Sequence, residues 1–223
     1  MGKRGVKPKG KVEIEWSSDF AYAIGLLATD GNLSSDGRHI SFVSKDKEQI
    51  INFNRALRLT TKISKKARGS GEEKKYYFVQ FSDVLFCKFL LSIGFTPAKS
   101  KTLGVIAVPK RYYRDFLRGV FDGDGYTYSY WDKRWRSSFM FYVGFVSASI
   151  TFVEWLRSVI FRRLKVRGHI TTATRKSTYY QLKYAKKDGL KVIRMMYYRK
   201  GQMFLSRKYL KIKKMLAIVG EKF

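Results

Sequence analysis

Apolar positions along this chain switch between two spacings, and the whole series of switches occurs twice. From Trp16 a helical pattern runs through WSSDFAYAIGLLATD and stops at Gly31. RHISFVS then alternates with period two, placing Ile40 and Phe42 on one face. DKEQIINFNRALRL returns to helical spacing, with Ile50, Ile51, Phe53, Ala56 and Leu57 as its apolar stripe. KISKKAR and KYYFVQFS read as strands around the turn-rich GSGEE. Asp83 is placed to cap the helix VLFCKFLLSIG, which ends at Gly94. With one weakly marked strand near 32–37, the first half is expected to run α-β-β-α-β-β-α.

Residues 96–110 contain two of the three prolines and read as a connector, after which the same order begins again. RYYRDFLRGVFDGDG is a helix ending at Gly125, and MFYVGFVS matches RHISFVS down to a shared Phe-Val-Ser. ITFVEWLRSVIFRRL is helical, HITTAT and TYYQLKY are strands, and KDGLKVIRMMYY is a helix. The second copy carries a longer hairpin, TYSYWDKRWRSSFMFY, before its Phe-Val-Ser strand. The expected organisation is a basic arm at 1–15, halves at 16–95 and 111–200 joined by the 96–110 linker, and a basic helix at 201–223.

Charge narrows the partner. Lys and Arg number 46 against 17 Asp and Glu, a formal net charge of +29 with a pI near 10.2. So much self-repulsion in a chain that is 45% hydrophobic points to a polyanion, since each neutralised phosphate releases counterions. The basic residues are spread over the chain instead of lining one amphipathic helix, which argues against a membrane surface. No apolar stretch approaches the roughly 20 residues that span a bilayer. The basic N-terminus has no apolar segment behind it, so a cytoplasmic, nucleoid-associated or organellar-matrix protein is expected, not a secreted one. The single cysteine, Cys87, excludes an internal disulfide and lies in an apolar run that suits a buried thiol.

The chemistry gathers where each half begins. AIGLLATDG (Ala23–Gly31) and LRGVFDGDG (Leu117–Gly125) share one design: glycine in the middle, an acid at the end, then glycine. Gly25 and Gly119 lack a Cβ, which lets two such helices approach closely. Asp30 and Asp124 stand about 94 residues apart at helix C-termini, where the macrodipole disfavours a carboxylate unless a cation offsets it. If a pseudo-two-fold axis relates the helices, the two carboxylates meet, forming a hard-oxygen site suited to Mg²⁺. One such helix alone would be an ordinary cap; two, each followed by the same elements, are not. A calcium-loop reading of DGDG fails, because Lys133 stands where the bidentate Glu belongs.

These two segments resemble the motif of the LAGLIDADG homing endonucleases, in particular the single-chain members with two motifs. The second motif is close to the family pattern; the first is more divergent, with Ala28 where the family often has an acid. The linker, with Lys99, Lys101 and a proline ahead of the second motif, is similar too. The resemblance implies an α+β protein of two pseudo-two-fold-related αββαββα halves, each with an antiparallel DNA-binding sheet, packed through the motif helices. It implies a monomer needing no protein partner, and a freestanding or intron-encoded enzyme. Such an enzyme cuts both strands of a long asymmetric double-stranded DNA target with a stagger. Asp30 and Asp124 would hold Mg²⁺, with Mn²⁺ or Ca²⁺ able to substitute in binding, and main-chain oxygens near Thr29 and Gly123 could add ligands. Asp122 occupies the motif's other acidic position, which is not usually a ligand. The family often sets a basic residue near the metals at the end of the last strand. Lys186 and Lys187 match in the second half, and Lys45 is the nearest substitute in the first.

The sheets would supply DNA contacts. In the first half the candidates are Arg38, His39, Ser41, Lys62, Ser64, Lys66, Arg68 and Gln80. In the second they are Arg134, Arg136, His169, Thr171, Arg175, Gln181 and Lys183, with Tyr126, Tyr128, Tyr130, Trp131 and Trp135 placed to pack on the backbone. An RNA maturase or a transcription-regulating DNA-binding protein on the same fold is the alternative, because a basic surface does not distinguish polyanions.

Overall fold

The computed structural model describes residues 10–67, 73, 75–174 and 177–222, so the expected contacts Arg68 and Arg175 lie outside the described residues. The first half runs α1 (Ser18–Asp30), β1 (Gly31–Leu33), β2 (His39–Ser44), α2 (Lys47–Ala56), β3 (Ser64–Lys66), β4 (Tyr76–Ser82) and α3 (Val84–Ser92). A 3-10 turn at Lys110–Tyr112 opens the second: α4 (Tyr113–Asp124), β5 (Gly125–Trp131), β6 (Phe139–Ser147), α5 (Ile150–Leu164), β7 (His169–Thr174), β8 (Thr178–Ala185) and α6 (Lys186–Met196). A final helix, α7 (Ser206–Ile218), follows. This is an α+β protein of two pseudo-symmetric αββαββα halves. Both sheets are antiparallel, ordered β1-β2-β4-β3 and β5-β6-β8-β7. The shared Phe-Val-Ser explains the matched register: Gly31 pairs with Phe42, and Gly125 with Phe145, each the first residue of that tripeptide.

The halves meet through α1 and α4. Helix α1 is buried from Phe20 through Ala28, as expected of a helix that is apolar all round. Gly25 and Gly119 face each other at the crossing. A Cβ on Gly25 would lie 2.2 Å from the Phe116 carbonyl oxygen, and one on Gly119 2.1 Å from that of Tyr22. No side chain but hydrogen fits either place. Among the described residues no helix is long and apolar enough to cross a membrane.

Helix α4 differs from α1 in burying charge. Arg118 and Asp115, both fully buried, form an ion pair at 2.9 Å. Arg118 also donates to the carbonyls of Met203 and Met196, and the Tyr198 hydroxyl donates to Asp115. Buried charges persist only when paired and hydrogen-bonded in this way.

One expectation is corrected. Ile51, assigned to the apolar stripe of α2, is 46% exposed, while Gln49 and Asn54 are buried. Their amides satisfy local groups: Gln49 accepts from the Ser44 hydroxyl, and Asn54 donates to the Thr61 carbonyl. The basic helix expected within 201–223 runs from Ser206 to Ile218 and packs on the core. It buries Ile212, Met215 and Leu216, and its start clasps the first half through Ser206 to Glu48 and Arg207 to Asp46.

Candidate active site and nucleic-acid interface

Because α1 and α4 cross at their glycines and run on together, both end at one place, which brings Asp30 and Asp124 into each other's field. Gly31 and Gly125 follow in extended conformation, with φ −80° and −78°. They are therefore not left-handed helix stops. A Cβ there would lie 2.7 Å from the Leu27 carbonyl and 2.5 Å from the Phe121 carbonyl respectively, so only glycine lets the chain turn from helix into strand so sharply.

Burial raises the Asp30 carboxyl to about 7, and the Asp124 charge adds to the rise. Lys208, Lys99 and the Thr29 hydroxyl pull the other way. Asp124 is raised as well, first by desolvation, against the pull of Lys208 and Lys99. Two carboxylates held together cannot both ionise freely.

Those two lysines were not among the residues singled out for catalysis. Lys99, from the linker, donates through Nζ to the Gly31 carbonyl at 2.7 Å and the Thr29 carbonyl at 3.2 Å. Lys208, from α7, donates to the carbonyls of Phe121, Gly123 and Gly125 at 2.7–2.8 Å. Each motif helix thus ends on an ammonium that serves the unpaired carbonyls of its last turn. Burial lowers both lysines to about 8, against the attraction of the nearby aspartates. A signal existed: Phe95-Thr-Pro-Ala-Lys99 and Phe204-Leu-Ser-Arg-Lys208 repeat a Phe-x-x-x-Lys spacing beyond the third helix of each half.

Of the lysines expected at the metals, Lys186 and Lys187 lie away from Asp124. In the second sheet Gly125 is level with Phe145 and hence with Leu182. Strand β8 runs from there away from Asp124 and ends at Ala185, three residues or about 10 Å further. Lys186 and Lys187 begin α6 beyond that point, so the strand end and the acids are on opposite sides of the sheet level. Lys45 follows β2, which runs antiparallel to β1 and passes the Gly31 level at Phe42, and its Nζ lies 5.5 Å over the Tyr76 ring.

Asp122, in the motif's other acidic position, is fully buried and raised to about 6 by that burial. It accepts from the Tyr22 hydroxyl of the other motif helix at 2.7 Å and from the Leu205 amide at 2.8 Å. It joins α1, α4 and the segment leading into Lys208.

Strand pairing decides which side chains share the open face of each sheet. Ile40, Phe42, Val79 and Phe81 are buried, so their neighbours point the other way. Asn32, Ser41 and Gln80 form one row across the first sheet, with His39, Ser64 and Lys66 on the same face. His39 is engaged there with Asp36. Arg38 and Lys62 lie outside the strands and are exposed. In the second sheet Tyr126, Lys183 and His169 share a row, flanked by Gln181 and Thr171, and the Tyr126 hydroxyl donates to Gln181. Tyr128 and Tyr130 continue this face, whereas Trp131 packs edge-on against Phe139. Arg134, Trp135 and Arg136 are exposed in the β5–β6 turn.

No family model matches the chain, and no curated protein does. Solved structures do. I-LtrWI, a LAGLIDADG homing endonuclease bound to target DNA, aligns over 91% of each chain at 11% identity with a TM-score of 0.59. I-DmoI in complex with DNA and calcium covers 87% of this chain and 97% of its own, at 14% identity and a TM-score of 0.56. The chain has the LAGLIDADG fold. The N-terminal LAGLIDADG domain of WhiA shares it too, at 15% identity over 88% of each chain with a TM-score of 0.52.

In this LAGLIDADG fold the acid pair suits a hard divalent ion. Among the described residues no group of three or more His, Cys, Asp or Glu could hold a metal. The protein's offer is therefore two carboxylates with main-chain oxygens, the sparse set that Mg²⁺ accepts while keeping waters. Burial raises both carboxyls, with the Asp124 charge adding to the rise at Asp30, and a cation there would favour their ionised forms. The Thr29 and Gly123 carbonyls already accept ammonium protons, and each retains a second lone pair.

Proposed function

We propose that this protein is a site-specific DNA endonuclease making a metal-dependent staggered double-strand break. The observation that carries the reading is the convergence of Asp30 and Asp124 at the paired helix ends, each beside a buried lysine. A divalent ion bound between the acids would supply Lewis acidity toward the scissile phosphate and a more acidic water. The carboxylates would hold it, and relief of their mutual repulsion would favour its binding. Lys99 and Lys208 fix the ends of the motif helices and add positive charge where the backbone phosphates come closest. The open sheet faces read the two half-sites: Ser41, Gln80 and Lys66 in one, Gln181, Lys183 and Thr171 in the other. The pseudo-dyad within one chain lets a monomer act on both strands. A freestanding or intron-encoded enzyme with Mg²⁺ as its ion fits this arrangement.

A DNA-binding protein without cleavage is the second reading. It is favoured by the ammonium groups that already serve the Thr29 and Gly123 carbonyls. The test is selection from a randomised duplex library for molecules cut in Mg²⁺. Cleavage at a defined sequence, lost in Asp30→Asn and in Asp124→Asn while binding in Ca²⁺ persists, supports the enzyme. Selective binding without cutting, unaltered by either substitution, leaves only the second reading.

A further inference from the structure

The N-terminal end of α4 carries a cluster that the proposed cleavage does not use. Three parts of the chain meet there: the 3-10 turn with the first turn of α4, the end of α5, and the segment after α6. Arg111 lies 4.8 Å over the Tyr112 ring, and Arg163 5.2 Å over that of Tyr113. Arg114 and Arg199 lie 4.2 and 5.7 Å from the Tyr198 ring. Arg163 also donates to the Lys110 carbonyl, tying α5 to the turn. At the end of α5 the Phe161 ring, 37% exposed, has Lys165 and Arg167 at 5.8 and 5.9 Å. Hollows of about 540 Å³ beside Tyr198 and Arg199 and about 450 Å³ beside Phe161 and Arg167 flank the cluster.

This place is far from the acids and from the open sheets. Helix α4 has 12 residues, so its length of about 18 Å separates the cluster from Asp124. Helices α5 and α6 pack against the buried side of the second sheet, opposite its open face. Its charge is also uncompensated: among the described residues, none of Arg111, Arg114, Arg163, Arg167 or Arg199 has a carboxylate within ion-pair distance. Asp115, the nearest acid on α4, is buried against Arg118.

We propose that this cluster is a second nucleic-acid surface, one that binds single-stranded polynucleotide. A guanidinium lying on a ring presents its other plane outward, where an unpaired base can stack, while its N–H edges remain free for phosphates. Duplex bases hide their faces, so only the edges would engage. The tyrosine rings lie beneath guanidiniums and do not project as apolar wedges, which fits a stacking platform better than a lipid surface. This surface stands apart from the proposed cleavage and requires none of its residues.

The test measures anisotropy of labelled oligo(U) and oligo(dT) of about 20 nucleotides, a length that exceeds common single-strand site sizes. Three proteins are compared: wild type, the triple variant Arg111→Ala/Arg163→Ala/Arg199→Ala, and an equally charged control, Lys47→Ala/Lys88→Ala/Lys101→Ala. The first triple is expected to flatten the slope of log affinity against log salt by about 2, from three lost phosphate contacts at roughly 0.7 each. Phe161→Ala is expected to weaken binding about tenfold through lost stacking with little change in that slope. Binding of a duplex in Ca²⁺ should be the same in all. The two oligonucleotides together separate an RNA preference from general single-strand binding. Equal losses in the control triple, or no loss in Phe161→Ala, overturn the proposal. So does wild-type binding to phosphatidylserine vesicles with none to either oligonucleotide.

Discussion

Replacing Gly119 by alanine tests the closest contact in the fold. The added Cβ would lie 2.1 Å from the Tyr22 carbonyl oxygen and 3.0 Å from the Gly25 Cα. Both partners are backbone, so no rotamer change relieves the clash; the two helices must separate by about 1 Å. Because α1 is buried from Phe20 to Ala28, that separation loosens packing on all its sides. Overpacking of this kind costs about 1–3 kcal/mol. Alanine returns up to about 1 kcal/mol of helix propensity. The upper part of the range applies to a backbone clash, leaving a net loss of about 1–2 kcal/mol, or about 2–8 °C in Tm for a chain of this size. Thermal unfolding followed by circular dichroism measures it. Gly104→Ala is the control, because its Cβ would have only the Thr151 methyl at 3.8 Å nearby. A Gly119→Ala protein as stable as wild type would show that the helices do not approach through these glycines.

Other outcomes follow from the buried charges. Asp30 is raised from an ordinary 3.8 to about 7, so the fold holds more protons than the unfolded chain between those values. Metal-free stability therefore falls as pH rises from about 4 to 7, and Asp30→Asn should gain Tm over wild type above pH 7 but not below pH 4. A difference that stays flat across this range, in melts in chelator, contradicts the paired-acid geometry. Ca²⁺ should raise the wild-type Tm at pH 8 and leave the Asp30→Asn/Asp124→Asn double variant unchanged. Asp115→Ala strands the buried Arg118 guanidinium, and urea unfolding should register a loss of about 3–5 kcal/mol. Arg207→Ala removes a largely exposed partner of Asp46 and should cost no more than about 1 kcal/mol by the same method.

Most secondary structure was legible because its causes are local. Period-two alternation in RHISFVS and MFYVGFVS placed β2 and β6, and Asp83 caps α3 by accepting from the Phe86 amide as its position suggested. Alternation also put Ser41, Gln80, Gln181 and Lys183 on open faces, once pairing settled the register. Ile51 misled because helical spacing marks an apolar stripe without saying how wide the burying surface is.

The sequence by itself determined two similar halves, each opening on a helix with a central glycine and a terminal aspartate. Glycine lacks a Cβ and aspartate carries its charge wherever the chain folds, so those properties needed no further context. The lysines needed it. Lys186 and Lys187 are near the expected strand end in sequence, yet β8 runs away from Asp124 and carries them with it. Lys99 and Lys208 come from a linker and a terminal helix, 69 and 84 residues from the aspartates they attend, as the numbering shows (99 − 30 and 208 − 124). Only the packing of those segments over the ends of α1 and α4 decided which ammonium groups meet the acids. A long side chain's partner is set by where its backbone is anchored, and no local pattern encodes that.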